Sequence, residues 1–498
     1  MLKMGVGFLV VLLCLAALPA QPAPCADGVM SLERSVGQGF APVAATDRSF
    51  PQQAILRASD AQSNDSFGFA VAISGDTAVV GAYEEDGGPG DPVVDAGAAY
   101  VFQRPGATGP WRQVARLTAT VPQVGAAFGL SVAISGSTVI VGAPFEDGGG
   151  GTVSFSGAAY LFGRNVGGTE KWGGLKRLTA PDAQAFDEFG YSVSISGSTG
   201  IVGARYEEGG EGDPENGSGA AYVFEKIDTF PWLYVATLRA SDVGSNDNFG
   251  SAVAIHGDVA TVGAPGEDGG PDNLLQSAGA IYIFDRDQGG TNRWGEIKKF
   301  NAYDRQANDQ LGSAVAISGD TVIAGARLED GGPTDPLPEA GAAYVFQHIQ
   351  GFGWFEIKKL TASDAQTKEE FGGAVTILGD TAIVGARYDD GGFPNGLGAA
   401  YVFIRHLNGT NKWGQAKKLT ASDAQAGDWF GAAVSLSGSS AIVGAFEEDG
   451  GPGDPHNGAG AAYQFRMGFL GFFHAESLPL APESARLHLA SFGGEGQF

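Results

Sequence analysis

The residues best able to do chemistry in this sequence are carboxylates that recur in pairs at a regular interval. Glu85-Asp86, Glu146-Asp147, Glu207-Glu208, Glu267-Asp268, Glu329-Asp330, Asp389-Asp390 and Glu448-Asp449 each lead into a glycine-rich stretch. A second set stands just ahead of a Phe-Gly or Leu-Gly dipeptide: Asp60 and Asp65, Asp182 and Asp187, Asp242 and Asp247, Asp304 and Asp309, Asp364 and Glu369, Asp423 and Asp428. In the second copy Val121 and Ala126 take those two places. Together the sets hold 26 of the chain's 56 acidic residues.

Hard carboxylate oxygens suit Ca²⁺, which gathers roughly six to eight of them, and a divalent ion would relieve the repulsion of like charges at this density. The candidate ligands are Asp60, Asp65, Glu85, Asp86, Asp182, Asp187, Asp242, Asp247, Glu267, Asp268, Asp304, Asp309, Glu329, Asp330, Asp423, Asp428, Glu448 and Asp449. Calcium is the one cofactor these residues suggest. The competing reading is turn chemistry, since Asp favours Asx-turns and "EDGG" is a sequence that reverses the chain. Both readings stay open at this level.

Catalytic signals are otherwise sparse. None of the six histidines (His256, His348, His406, His456, His474, His488) recurs at one repeat position. There is no His-Glu-x-x-His, no Gly-x-Ser-x-Gly elbow and no cysteine–histidine couple in a recognisable setting. A glycosidase-like pair of carboxylates is chemically available, yet an element repeated seven times is a poor candidate for a single active centre. The expectation is a protein that is not an enzyme.

A net charge of -26 repels nucleic-acid phosphates and anionic lipid surfaces, and favours cations or basic partners. With 43% hydrophobic residues and 31 Phe, the chain can build a large core, so its 80 Gly must serve turns and close packing rather than disorder. The opening "MLKMGVGFLVVLLCLAALPAQPA" has the layout of a secretory signal peptide, with an apolar run from Val6 to Leu18 too short for a membrane span. The expected organisation is a signal peptide over residues 1–26, a linker over 27–52, one repeat domain over 53–466 and a tail over 467–498. The mature protein is expected outside the cytoplasm: secreted, cell-surface or, in a Gram-negative cell, periplasmic. Cys14 leaves with the signal, and Cys25 either leaves too or stays as a lone thiol or lipidation site.

What must position the carboxylates is a repeat. Phe67-Gly68, Phe128-Gly129, Phe189-Gly190, Phe249-Gly250, Leu311-Gly312, Phe371-Gly372 and Phe430-Gly431 lie 59 to 62 residues apart. Each is followed by a Gly-Ala pair, from Gly81-Ala82 to Gly444-Ala445, and then by "GAAYVF" or a variant. Trp111, Trp172, Trp232, Trp294, Trp354 and Trp413 open a fourth segment in six of the seven copies. Alternating runs such as "FGFAVAIS" and "DTAVVGA", joined by a tight "SGD" or "SGS" turn, read as β-hairpins. Four antiparallel strands repeated seven times predict a closed seven-bladed β-propeller, all-β in class, with small residues on the strands nearest the axis. "QAILRASDAQ" (53–62) matches the fourth-strand segment "KKLTASDAQ" of later copies, so an N-terminal strand is expected to complete the last blade and close the ring.

Phe-Gly followed by Gly-Ala-Pro, as at Ala143-Pro144 and Ala264-Pro265, resembles the FG-GAP repeat of integrin α-subunit propellers and their bacterial relatives, over roughly residues 53 to 466. Pro is replaced by Arg205, Arg327, Arg387, Tyr83 and Phe446 in the other copies. The Asp-x-Asp-x-Asp-Gly calcium loop of integrin propellers has no counterpart in the short "SGD" and "SGS" turns, so that site does not carry over.

Strand parity then sorts the loops. The 2–3 turns and the links between blades must leave on one face of the disc, which collects both acidic sets there. The lysines and arginines of the fourth strand, Lys176-Arg177, Lys298-Lys299, Lys358-Lys359 and Lys417-Lys418, are expected to guard an outer edge. The Trp, Tyr and Phe of strands three and four are expected to pack between blades. The resemblance implies a monomeric binding or adhesion module presenting an acidic loop face to an extracellular protein or polysaccharide, with calcium dependence as a further expectation. A calcium-dependent polysaccharide hydrolase or lyase, and a structural surface protein without a discrete ligand, are the alternatives.

Overall fold

The computed structural model describes residues 49–86, 93–148, 151–208, 216–227, 232–242, 244–269, 275–330, 337–392, 394–449 and 456–468. The signal segment, most of the linker and the tail lie outside the described residues. Those described form seven four-stranded antiparallel sheets and no helix. The first is Phe67–Ser74, Thr77–Ala82, Ala98–Gln103 and Arg112–Leu117 in sequential order, and five others repeat it. The seventh begins at Ala433–Ser437 and ends with Ala461–Arg466, against which the first strand of the chain, Gln52–Leu56, pairs antiparallel. An N-terminal strand closes the ring, as the sequence match predicts.

Phe50 and Met467, just beyond these end strands, are buried in the same cluster as Tyr463 and Phe465. Residues from all seven inner strands, among them Val71, Val132, Ile195, Val253, Val315, Ile377 and Ser435, line one axial cavity of about 260 Å³.

Each core cluster spans two blades. Phe67, Val80 and Tyr100 of the first blade pack with Leu56, Ile442 and Ala462 of the seventh. Trp294 joins Tyr282 and Val223 in the cluster between the third and fourth blades. The aromatic residues of strands three and four therefore do the packing expected of them.

The repeated glycines have a geometric reason. A Cβ on Gly81 would stand 1.9 Å from the carbonyl oxygen of Gly129, and one on Gly129 would stand 2.2 Å from that of Ala98. Consecutive blades thus touch backbone to backbone where Phe-Gly meets Gly-Ala. The same seam carries a hydrogen bond in every blade, from the amide of the Phe or Leu to a carbonyl just ahead of the previous blade's third strand: Phe128 N to Ala96 O at 3.0 Å and Leu311 N to Ala278 O at 3.0 Å are examples.

On the opposite face the "SGD" turns are stapled around the axis. Ser437, Ser74, Ser135, Ser196 and Ser318 each accept a hydrogen bond through Oγ from the turn glycine amide of the next blade, at 3.0 to 3.2 Å. His256 and Leu378 replace Ser at the other two seams.

Gly81→Ala should lower unfolding free energy by about 3 kcal/mol or more, because the clash is with backbone that cannot repack. Gly75→Ala, with open space around it but φ of +57°, should cost only about 1 kcal/mol. Chemical denaturation of the two variants checks the ordering.

Candidate functional site

Both acidic sets emerge on one face, and their side chains meet there. Arg116 pairs with Glu85 of its own blade and lies 3.5 Å from Asp60 of the link entering that blade. Lys299 bridges Asp242 and Glu267, both at 2.6 Å, and Lys359 bridges Asp304 at 2.9 Å and Glu329 at 2.7 Å. Lys418 holds Asp364, Asp389 and Asp390 at 2.6 to 2.9 Å.

In the third and seventh blades the cation sits two residues further on. Arg239 reaches Asp182 and Glu207, and Arg57 reaches Asp423 and Glu448, at 2.9 to 3.4 Å. Two residues along a strand is the same side of the sheet, so the charge pairing is kept while its position shifts. The third-strand tyrosine joins the cluster: Tyr222, Tyr282, Tyr344 and Tyr401 donate to Asp182, Asp242, Asp304 and Asp364 at 2.8 Å. In the second blade, which has Val121 at the link, Tyr160 donates instead to Glu146 at 2.6 Å and Arg177 completes the pair.

The inner glutamates are almost fully shielded, Glu85, Glu329 and Glu448 at 0% exposure. These cations therefore differ from their expected role. Of each basic pair the second residue folds onto the loop-face carboxylates, while the first, Lys176, Lys298, Lys358 or Lys417, stays exposed on the outer strand.

The second acidic residue of each link has a separate task. Asp65, Asp187, Asp247, Asp309 and Asp428 accept the backbone N–H three residues earlier, at 2.5 to 2.8 Å. Burial is the main force on them, helped by the neighbouring 2–3 turn carboxylates. It pushes Asp65, Asp187, Asp309, Glu369 and Asp428 up to about 7, and Asp247 to about 6. Asp86, Asp268, Asp330 and Asp449 close the 2–3 turns by accepting the amides of Asp95, Ser277, Glu339 and Gly458 at 2.7 to 2.9 Å.

Inside this acidic rim, around the axis, four positions per blade form a ring. One is the residue before Phe-Gly, left-handed in every blade at φ of 52° to 58°, and another is the residue after it, whose amide bonds back across the turn. The other two follow Gly-Ala. Blade by blade these residues contact one another. In the third, Arg205 pairs with Glu188 at 2.7 Å and lies over Tyr191 and Tyr206 at 3.7 and 4.5 Å. In the sixth, Arg387 pairs with Glu370 at 2.7 Å and lies over Tyr388 at 4.7 Å. From the sixth blade through the seventh to the first, Tyr388, Trp429, Phe446, Phe69 and Tyr83 run as a chain of rings with centroids 4.5 to 5.4 Å apart.

Seven matches to the FG-GAP repeat family cover residues 50–102, 111–162, 172–224, 232–284, 294–346, 354–403 and 413–465, well over half the chain. The chain belongs to the FG-GAP repeat family. No curated protein matches it. Among solved structures it is similar to the periplasmic gluconolactonase PpgL of Pseudomonas aeruginosa, at 12% identity and a TM-score of 0.45, covering 72% of this chain and 86% of that one.

Within the FG-GAP unit every calcium candidate named from the sequence lies on the loop face, and each one's surroundings include a cation, a tyrosine or a backbone amide of the same fold. Among the described residues no group of three or more acidic, His or Cys side chains converges as a metal-holding set. What the sequence did not reveal is the ring, because its members fall on either side of the conserved words of the repeat and resemble one another in no copy.

Two outcomes follow for this FG-GAP protein. Lys359→Met leaves Asp304 and buried Glu329 without their cation and should cost about 3 kcal/mol, read by denaturant melts. A carboxyl raised by the fold keeps its proton there while the unfolded chain, near its ordinary value of about 4, has lost it. The stability from Asp65, Asp187, Asp247, Asp309, Glu369 and Asp428 is therefore full below about pH 4 and lost as pH rises through about 7. The paired Asp242 and Asp364, held low by Lys299 and Lys418 against the opposing effect of burial, act in the opposite sense at acid pH. Melting temperature should rise from pH 8 to about 5, and Asp187→Asn with Asp309→Asn should flatten that slope.

Proposed function

We propose that this FG-GAP propeller is an exported binding or adhesion module that meets an extracellular protein or polysaccharide through the ring at the centre of its loop face. The observation that carries this reading is where sevenfold symmetry is kept and where it is lost. Glycine seams, buried ion clusters and tyrosine–carboxylate bonds recur around the disc, since each is demanded by packing. The ring positions carry Ser66, Ala127, Glu188, Asn248, Gln310, Glu370 and Trp429 at one place alone. Residues released from the scaffold and gathered around the axis are those a ligand would select, while the rigid blades hold them in place. The step from propeller to binding remains one of site chemistry rather than of fold.

Arrays of glycans and extracellular matrix proteins, probed with the wild type and with Trp429→Ala or Arg205→Ala, test it. A ligand whose affinity falls about tenfold in those variants, but not in Asp380→Ala on the opposite face, supports the reading. A ligand that responds only to Asp380→Ala overturns it. Calcium dependence is checked by melting the protein with millimolar calcium and with chelator. Because Lys and Arg already neutralise the shielded glutamates, the expected shift is within about 2 °C, and a larger one would mark cation sites among the rim carboxylates.

A further inference from the structure

The sixth blade departs from the others where its second and third strands are joined. That connection, 387–398, has 12 residues, against 15 in five blades and 14 in the second. In five blades the second acid of this turn accepts an amide eight or nine residues further on, whereas Asp390 pairs with Lys418 at 2.9 Å. Beside the shortened loop lies a cavity of about 400 Å³, lined by Leu337 of the fifth blade, by Gln366, Thr367 and Glu369 of the link, and by Gly391 and Gly392. It sits at the seam of the fifth and sixth blades and shares no residue with the ring around the axis. Its volume falls in the range of small-ligand sites, roughly 300 to 1,000 Å³.

Glu369 stands where five other links carry an Asp that accepts the amide three residues earlier. One methylene longer and 1% exposed, it leaves both carboxyl oxygens without a hydrogen-bond partner of ordinary geometry, although the Gln366 amide still acts on it from a looser position. A buried carboxyl without donors is costly and awaits a partner. No internal cation serves it: Lys418 is held by Asp364, Asp389 and Asp390, and the exposed Lys368 forms no ion pair among the described residues. Burial is the main force raising this carboxyl, opposed by the Gln366 amide and helped by Asp389 and Asp364. The Thr367 carbonyl accepts no backbone amide among the described residues, and it stands 4.0 Å from the place of a Cβ on Gly392.

We propose that this cavity binds an amino-sugar residue of a polysaccharide, its ammonium group taken by Glu369 and the Thr367 carbonyl and its hydroxyls by Gln366, Thr367 and the glycine backbone. The inference goes beyond the ring and does not need it. An ammonium brings three donors, and the two Glu369 oxygens with the Thr367 carbonyl are three acceptors. Ca²⁺ asks for about six to eight oxygens, and Glu369 is the one acidic residue among those lining the cavity. Negative neighbours favour a cation over a neutral or anionic group. A lysine would bring its ammonium on an alkyl stem, whereas the walls are mostly amide, hydroxyl and bare backbone, with Leu337 as apolar contact for one face of a sugar ring.

Three β-1,4-linked disaccharides that differ at C2 alone test this by calorimetric titration of the full chain: the glucosamine dimer, its N-acetylated form and cellobiose. The glucosamine dimer should bind about tenfold more tightly than either of the others, and Glu369→Gln, which keeps the shape and removes the charge, should erase that preference. Gly392→Asn puts a side chain opposite Thr367 at a φ of +61° that Asn tolerates. It should block binding while leaving the melting temperature close to that of the wild type. Arg205→Ala, in the ring of the third blade, should change nothing here, so loss of ring binding and loss of this site are told apart. Equal affinity for the three sugars, no binding of any, or a preference that survives both Glu369→Gln and Gly392→Asn overturns the inference. Tighter binding of a dilysine peptide than of the glucosamine dimer, lost in Glu369→Gln, overturns the sugar assignment as well.

Discussion

Everything in this propeller depends on how closely consecutive blades approach at the axis. Where Gly81 faces the carbonyl of Gly129, two backbones touch with no side chain between them. That contact fixes the angle between sheets, and the amide of each Phe-Gly entry then finds the carbonyl ahead of the previous blade's third strand. The Phe-Gly and Gly-Ala words of the repeat are two halves of this one contact, supplied by neighbouring blades. They recur because the closure of the ring leaves no room for an alternative, and the buried aromatic clusters fill what remains between blades.

Closing the ring forces the 2–3 turns and the blade links together, and the fold manages the charge this concentrates. A cation from the outermost strand is brought in to hold the innermost carboxylates. The shift of that cation from the Arg116 position to the Arg239 and Arg57 positions shows that the pairing, rather than a particular residue, is what the blade requires. The second blade shows the minimal version. Without either link aspartate, Tyr160 and Arg177 satisfy Glu146 by themselves. The further carboxylates of the other blades add turn closure and a load of buried acid that is most comfortable when partly protonated.

The architecture was legible in the sequence because its cause is periodic. Seven Phe-Gly dipeptides, the tight serine–glycine turns and a stray fourth strand at residues 53–62 state blade count, strand order and closure directly. Strand parity also placed the acids on one face. Their partners were hidden, since nothing local says that Lys299 of a fourth strand turns inward to Glu267 while Lys298 beside it stays in water. The ring was hidden for the opposite reason. Its members share no residue type, and only the positive φ before each Phe-Gly and the packing across blades bring Trp429, Phe446 and Phe69 into one row.

The closing strand has a mechanical consequence. Gln52 pairs with Phe465 and Leu56 with Ala462, so the outward ends of both strands leave from the same end of the pair. A load applied across the two termini therefore opens this seam like a zipper, one hydrogen bond after another, rather than shearing the row at once.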